Sequence, residues 1–219
     1  MARAALFAGQ GAQVVGMGKD LAERHAVAAQ TFAEADRVLG MPLSRICFEG
    51  PLDQLSATDV QQPAIFTVGV ALFRTARELG LFGDGSFIAM GGLSLGEYTA
   101  LHAAGALNFE DALRLLQTRG RLMQQACDAN PGGMVSLMGL DEAAALRVCE
   151  QVAQHGYVTP ANYNCPGQIV LSGVTAACEA AVALVERSGE GKAVPLKVAG
   201  AFHSELMRPA AEGLREPLA

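Results

Sequence analysis

A short apolar run, Phe87 to Met90, enters Gly91-Gly92-Leu93-Ser94-Leu95-Gly96, and a helix-patterned stretch from Leu95 to Ala104 follows at once. No other feature constrains the fold as strongly. A GxSxG segment between a strand and a helix is a sharp turn that lifts the serine hydroxyl out of the sheet, with small flanking residues relieving the crowding. The turn therefore asks for an α/β layer whose strand ends open onto a site. In a chain with 25 glycines the five residues alone leave an incidental turn open, so the surrounding pattern has to decide.

That pattern begins with Ala4 to Ala8, a buried-strand run ending in Gly9-Gln10-Gly11. Apolar spacings of three and four predict helices over Lys19 to Leu39 and Val60 to Leu79, with Pro63 tolerable near the start of the second, and a helix over Phe109 to Ala126. From Gly132 the texture changes. Strands are expected at Met134 to Leu140, Tyr157 to Asn162, Gln168 to Ser172 and Ala193 to Val198, with helices at Glu142 to Gln154 and Ala176 to Arg187. That order, β-α-β-β-α-β, is the pattern of a ferredoxin-like unit. The expected organisation is an α/β core over 1–130 and 199–219, interrupted by a small domain over 131–198. Ser204 can cap a last helix whose positions Met207, Ala211, Leu214 and Leu218 share a face. So few strands make a parallel sheet look cut off at the C-terminus.

Charge and cysteine usage remove several functions. A net charge of −6 with only three lysines offers no cluster to neutralise phosphates, so nucleic acid is not an expected partner. The five cysteines are scattered, without a CxxC pair or a nearby histidine, which argues for isolated thiols and against a zinc site or disulfide framework. The N-terminal apolar run is too brief for a signal peptide, and no stretch of about 20 apolar residues suggests a membrane span. A cytoplasmic monomer without metal or cofactor is the expectation.

The chemistry is carried by a few side chains. A serine alcohol needs a base, and His203 is the histidine at a predicted strand-to-helix junction, whereas His25, His102 and His155 lie within or at the ends of helices. Read alone, His203 fits a packing role equally well. Gly9-Gln10-Gly11-Ala12-Gln13 follows the first strand, where loops line the crevice of an α/β sheet. It lacks the GK[ST] ending of a phosphate loop. The N–H groups of Gln10 and of Leu95, just after the serine, are candidate donors to a tetrahedral oxyanion. Arg119 falls late in its helix: it is either a solvated charge or, if buried, a two-pronged clamp for a substrate carboxylate.

Taken in order, FAGQGAQ at 7–13, GLSLGEYTAL at 92–101, TRGRLMQ at 118–124, NYNCPGQIVLSG at 162–173 and AFHSELM at 201–207 span almost the whole chain. This set resembles the malonyl-CoA:acyl carrier protein transacylase family, also found as acyltransferase domains of polyketide and fatty acid synthases. The resemblance implies an α/β-hydrolase-like core with an inserted ferredoxin-like domain, and transfer of malonyl from malonyl-CoA to an acyl carrier protein. It makes Ser94 the acylated nucleophile, His203 its base, Gln10 and Leu95 the oxyanion donors and Arg119 the carboxylate clamp. Phe202 would narrow the pocket beside the malonyl C2, and Asn162 would face the cleft from the small domain, with Gln168 structural.

Three departures accompany it. Leu93 stands where the family usually has histidine, Gly200 precedes the Ala-Phe-His segment, and the family's carbonyl partner for the catalytic histidine would come from beyond residue 219. Two competing readings follow: a serine esterase or thioesterase, and a non-catalytic remnant that binds carrier protein. The esterase reading is weakened because no acidic residue has a clear claim to orient His203.

Overall fold

The computed structural model describes residues 2–219, and the chain divides into two compact units, Met1–Arg121 and Leu122–Ala219. In the first unit, strand β1 (Ala4–Phe7) is followed by helices α1 (Lys19–Arg24), α2 (Ala26–Leu39), α3 (Leu43–Glu49), α4 (Leu52–Ser56) and α5 (Thr58–Glu78). Strand β2 (Ala89–Gly92), helix α6 (Gly96–Ala103) and helix α7 (Phe109–Ala129) complete it, the division falling within α7. Strands β1 and β2 pair in parallel, with Ala4 opposite Ala89 and Phe7 opposite Gly92. This register brings the carboxyl ends of both strands, and so the two loops that follow them, to the same edge of the sheet.

The core of this unit lies among the helices: Ala28 and Phe32 of α2, Ile46 of α3, Phe66 of α5, Leu113 and Leu116 of α7, and Leu95 are all at most 2% exposed. Helix α5 is buried along one unbroken stretch from Val60 to Thr67. Because it starts at Thr58, Pro63 is its sixth residue, so the Asp59 carbonyl loses its helical partner.

Several expectations for this unit shift. The single helix over Lys19 to Leu39 is two helices broken at His25, whose φ of −131° and ψ of 118° are extended. Helix α1 buries no residue, whereas α2 buries Ala28, Thr31, Phe32 and Ala35; the chain bends so that the more apolar helix reaches the core. The second strand lies at Ala89–Gly92 instead of Phe87–Met90, with Phe87 joining an aromatic group with Phe73 and Phe82.

The second unit runs β3 (Gly132–Met138), α8 (Glu142–Val152), β4 (Val158–Cys165), β5 (Gln168–Val174), α9 (Thr175–Ser188) and β6 (Lys192–Pro195). Its four strands form one antiparallel sheet in the order β4-β5-β3-β6, the ferredoxin-like arrangement that the β-α-β-β-α-β order requires. Side chains alternate across the sheet. Val135, Leu137, Ile169 and Leu171 face α8 and α9, where Ala145, Val148, Ala181 and Val185 meet them. Asp141 caps α8 by accepting a hydrogen bond from the Ala144 N–H.

Met134 and Val170 point to the other face, where Phe202, Met207 and Ala210 pack together with Met123 and Cys127. Residues 199–219 therefore pack within this unit, which differs from the expected division into 1–130 with 199–219 and 131–198. The last strand stops at Pro195, short of Val198, although the Leu196 N–H still bonds the Met134 carbonyl at 2.9 Å. Ser204 does cap, accepting from the Leu206 N–H, but a 3-10 turn over Glu205–Met207 leads into only a short helix α10 (Arg208–Gly213). Its buried positions are Met207, Ala210 and Leu214; Ala211 and Leu218 are exposed. Among the described residues no helix is long and apolar enough to cross a membrane.

Candidate active site

Ser94 and His203 are the two non-glycine residues of the described chain with positive φ, at 54° and 59°. Such a conformation costs an L-residue roughly 1–2 kcal/mol and persists only where its surroundings impose it. Around Ser94 the imposing geometry is visible. A Cβ on Gly92 would lie 2.6 Å from the Gly96 Cα, and one on Gly96 would press on the Phe7 carbonyl and come within 2.9 Å of the Ala8 carbonyl. The Gly96 N–H bonds the Leu93 carbonyl at 2.9 Å and the Tyr98 N–H bonds that of Leu95 at 3.0 Å, so the turn closes directly into α6. Leu95 is fully buried and anchors the turn, while Leu93 is 52% exposed; the residue at the usual histidine position sits at the surface, where leucine is accommodated.

The loop after β1 meets this turn. A Cβ on Gly9 would be 2.5 Å from the Leu93 carbonyl oxygen, so Gly9-Gln10-Gly11 lies directly against the serine turn. Gln10 donates from Nε2 to Oε1 of Gln61 on α5 at 2.6 Å.

Arg119 is buried, not a solvated helix-end charge: it is 9% exposed. Its Nη2 donates to Ser94 Oγ at 2.9 Å, and its Nη1 donates to Oε1 of the fully buried Gln62 at 2.6 Å. Gly120 explains the approach, because a Cβ there would lie 2.6 Å from the Asp59 Cα; α7 can cross the start of α5 closely enough for Arg119 to reach Gln62. Burial pushes the guanidinium pKa down, opposed by Tyr98 and by Glu97, and Tyr98 presents its ring face 5.6 Å from Cζ. The ion pairs among the described residues do not include Arg119, and its hydrogen bonds run to the neutral Ser94 and Gln62. A site built this way favours an incoming anion beside the serine oxygen.

In the second unit His203 is exposed. The Phe202 N–H bonds the Gly200 carbonyl at 3.0 Å, and Ser204 Oγ donates to the Ala201 carbonyl at 2.6 Å, so the histidine stands on a turn fixed from both sides. Gly200 has a steric reason: a Cβ there would be 3.0 Å from the Cys127 Cβ and closer still to its sulfur. Phe202, expected at the pocket wall, is 5% exposed and packed among Met123, Met134 and Val170 as a core residue. Asn162 lies on the edge strand β4 opposite Val170, beside an irregularity at Ala161, and is half-buried. Gln168 pairs within the sheet opposite Met138 and Cys165.

Of the other histidines, His102 is a packing residue: its Nδ1 meets the Leu107 carbonyl at 2.9 Å and its ring lies against Phe66 and Phe109. The partners of Gln10 and Arg119, namely Gln61 and Gln62, are functional candidates that the sequence reading missed. The only local signal was two successive glutamines inside an otherwise apolar helix face.

The family described as "Acyl transferase domain" matches residues 5–219. The malonyl CoA-acyl carrier protein transacylase of Bacillus subtilis (strain 168) is 46% identical over 214 residues, which are 97% of this chain and 66% of that protein. The chain thus spans just under two thirds of that relative's length. The crystal structure of an acyl-carrier-protein S-malonyltransferase from Bartonella henselae superposes with a TM-score of 0.93 at 44% identity, covering 100% of this chain and 69% of that one. A type II PKS malonyl-transacylase, solved in complex with its acyl-carrier protein, gives a TM-score of 0.91 at 42% identity, covering 98% and 68%.

Proposed function

The chain belongs to the acyl transferase domain family, among the malonyl CoA-acyl carrier protein transacylases, and on that premise we propose that it carries malonyl from malonyl-CoA to the phosphopantetheine thiol of an acyl carrier protein. The observation that carries the reading is the buried Arg119 guanidinium, 2.9 Å from Ser94 Oγ and with no carboxylate bridged to it among the described residues. It selects an acyl group bearing a free carboxylate and holds it beside the nucleophile.

In the first half-reaction Ser94 Oγ attacks the thioester carbonyl, and His203 takes the serine proton. The N–H groups of Gln10 and Leu95 receive the oxyanion. As the intermediate collapses, the C–S bond breaks, the coenzyme A sulfur takes the proton from His203, and a malonyl-serine ester remains. The carrier thiol then repeats these steps in reverse, giving its proton to His203 and taking the acyl group. Positive φ at Ser94 and at His203 supports a reacting role for each, since strain concentrates at such residues. Asn162 remains a contact candidate from the edge strand. The free thiols Cys47, Cys127, Cys149, Cys165 and Cys178 suit a reducing cytoplasm, and the pathway served is fatty acid or polyketide synthesis.

Mass spectrometry after mixing the protein with malonyl-CoA tests the reading. A malonyl adduct on the Ser94 peptide, lost in Ser94→Ala and discharged by an acyl carrier protein, is expected. Steady release of free malonate without carrier protein would indicate a hydrolase, and no adduct at all would refute acyl transfer.

A further inference from the structure

We propose that Gln61 is a positioning residue for the oxyanion-binding loop: by accepting the Gln10 side-chain N–H, it fixes the peptide that is offered to the reacting carbonyl. The inference rests on the proposed acyl-transfer reading only for what the loop does, not for how it is held.

Beyond the close approach of Gly9 to the serine turn, the loop has little else to define it. Gln10 lies between two glycines, and Gly11 adopts a φ of +97° with no atom within 4 Å of where its Cβ would be. Its amide bonds only locally, to Gln13 Oε1 at 3.0 Å. A backbone of that kind has many accessible states. The bond at 2.6 Å between Gln10 Nε2 and Gln61 Oε1 ties it to α5, and Gln61 is itself 7% exposed in the buried stretch of that helix.

The next residue, Gln62, holds Arg119 in the same manner. Successive helix positions thus reach the two groups that meet the substrate: one steadies the loop at the thioester oxygen, the other the guanidinium at the acyl carboxylate. A donor to an oxyanion acts by being in place before the charge develops. Loosening the loop should therefore slow chemistry without weakening substrate binding.

The test uses Gln61→Met, which keeps length and volume but gives up the amide oxygen, together with Gln10→Met and the double variant. Each single change should lower kcat for malonyl transfer by about three- to tenfold, the range of one net hydrogen bond, with KM unchanged. The double variant should be no slower than the slower single one, because both remove one interaction. Hydrogen exchange of residues 8–13 should accelerate in Gln61→Met while α5 stays protected. Additive losses, a loss confined to KM, or unchanged exchange over 8–13 would overturn the proposal. If the parent protein forms no malonyl-serine, the acyl-transfer reading fails separately, and the exchange measurement alone then decides whether Gln61 holds the loop.

Discussion

Replacing Gly96 with alanine should cripple the serine turn through a collision that no side-chain rotation can relieve. The added methyl would press on the Phe7 carbonyl and lie 2.9 Å from the Ala8 carbonyl, inside the 3.0 Å that real Cβ atoms respect. Both obstacles are backbone of β1 and of the loop leading to Gln10. The turn and β1 must therefore part by more than about 0.5 Å, the tolerance within which catalytic groups have to be held. Overpacking costs about 1–3 kcal/mol, and rigid backbone on both sides puts this case at the upper end. At about 2–4 °C per kcal/mol for a chain of this size, melting should fall by about 6–12 °C. Displacement on this scale can also cost about 100-fold in rate. Gly83→Ala is the control, since nothing lies within 4 Å of its Cβ position and its φ is not positive. Thermal melts and single-turnover acylation by malonyl-CoA would be read on all three proteins. If Gly96→Ala melts and acylates like the Gly83→Ala control, the close approach of β1 to the turn is not what shapes the site.

Three further outcomes follow from other parts of the molecule. Arg119→Ala should lower acylation by malonyl-CoA by at least about tenfold more than acetyl-CoA, since a charge-assisted bond to the carboxylate is worth about 1.5–3 kcal/mol; equal losses would make the guanidinium structural. Burial pushes the fully enclosed Cys47 thiol up to about 12, so the folded state keeps its proton longer than the unfolded chain, whose thiol titrates near 8.5. That contribution is complete below pH ~8.5 and declines as pH rises towards the folded value, so Cys47→Ala should flatten the fall of the urea midpoint between neutral and alkaline pH; an unchanged slope would refute it. The Ser172 hydroxyl is buried without a hydrogen-bond partner among the described residues, so Ser172→Ala should leave the urea midpoint unchanged or raise stability by up to about 1 kcal/mol, and a clear loss would reveal a partner.

The parts of the fold that were legible in the sequence are those where local chemistry and tertiary packing agree. Strands β3 and β5 alternate apolar side chains between two covered faces, and Ser204 marks the start of the last helical segment, where its side chain caps a 3-10 turn. The break at His25 was invisible because no glycine or proline marks it; the preference of α2 for the core decides it. Helices α3 and α4 are too short, at seven and five residues, for a periodic signal to emerge. At the site, Ser94 could be read from its flanking glycines, whose need for space is a local matter. Arg119 was ambiguous because its burial depends on Gly120 packing against Asp59, some sixty positions earlier. Gln61 and Gln62 were hidden for the same reason: a glutamine in a helix says nothing until its distant partner is known.

The left-handed backbone at Ser94 and His203 carries a lesson for anyone who would improve this protein by selection. Glycine relaxes such a conformation at little steric cost, so a library ranked only by heat resistance or expression yield is drawn towards glycine at the two positions where the proposed acyl transfer needs something else. Winners from such a screen would look better by every biophysical measure while having discarded the alcohol and the imidazole. On the proposed acyl-transfer reading, selection for robustness and selection for turnover pull against each other at these two sites, and only a scheme that rewards both will keep the alcohol and the imidazole while hardening the frame around them.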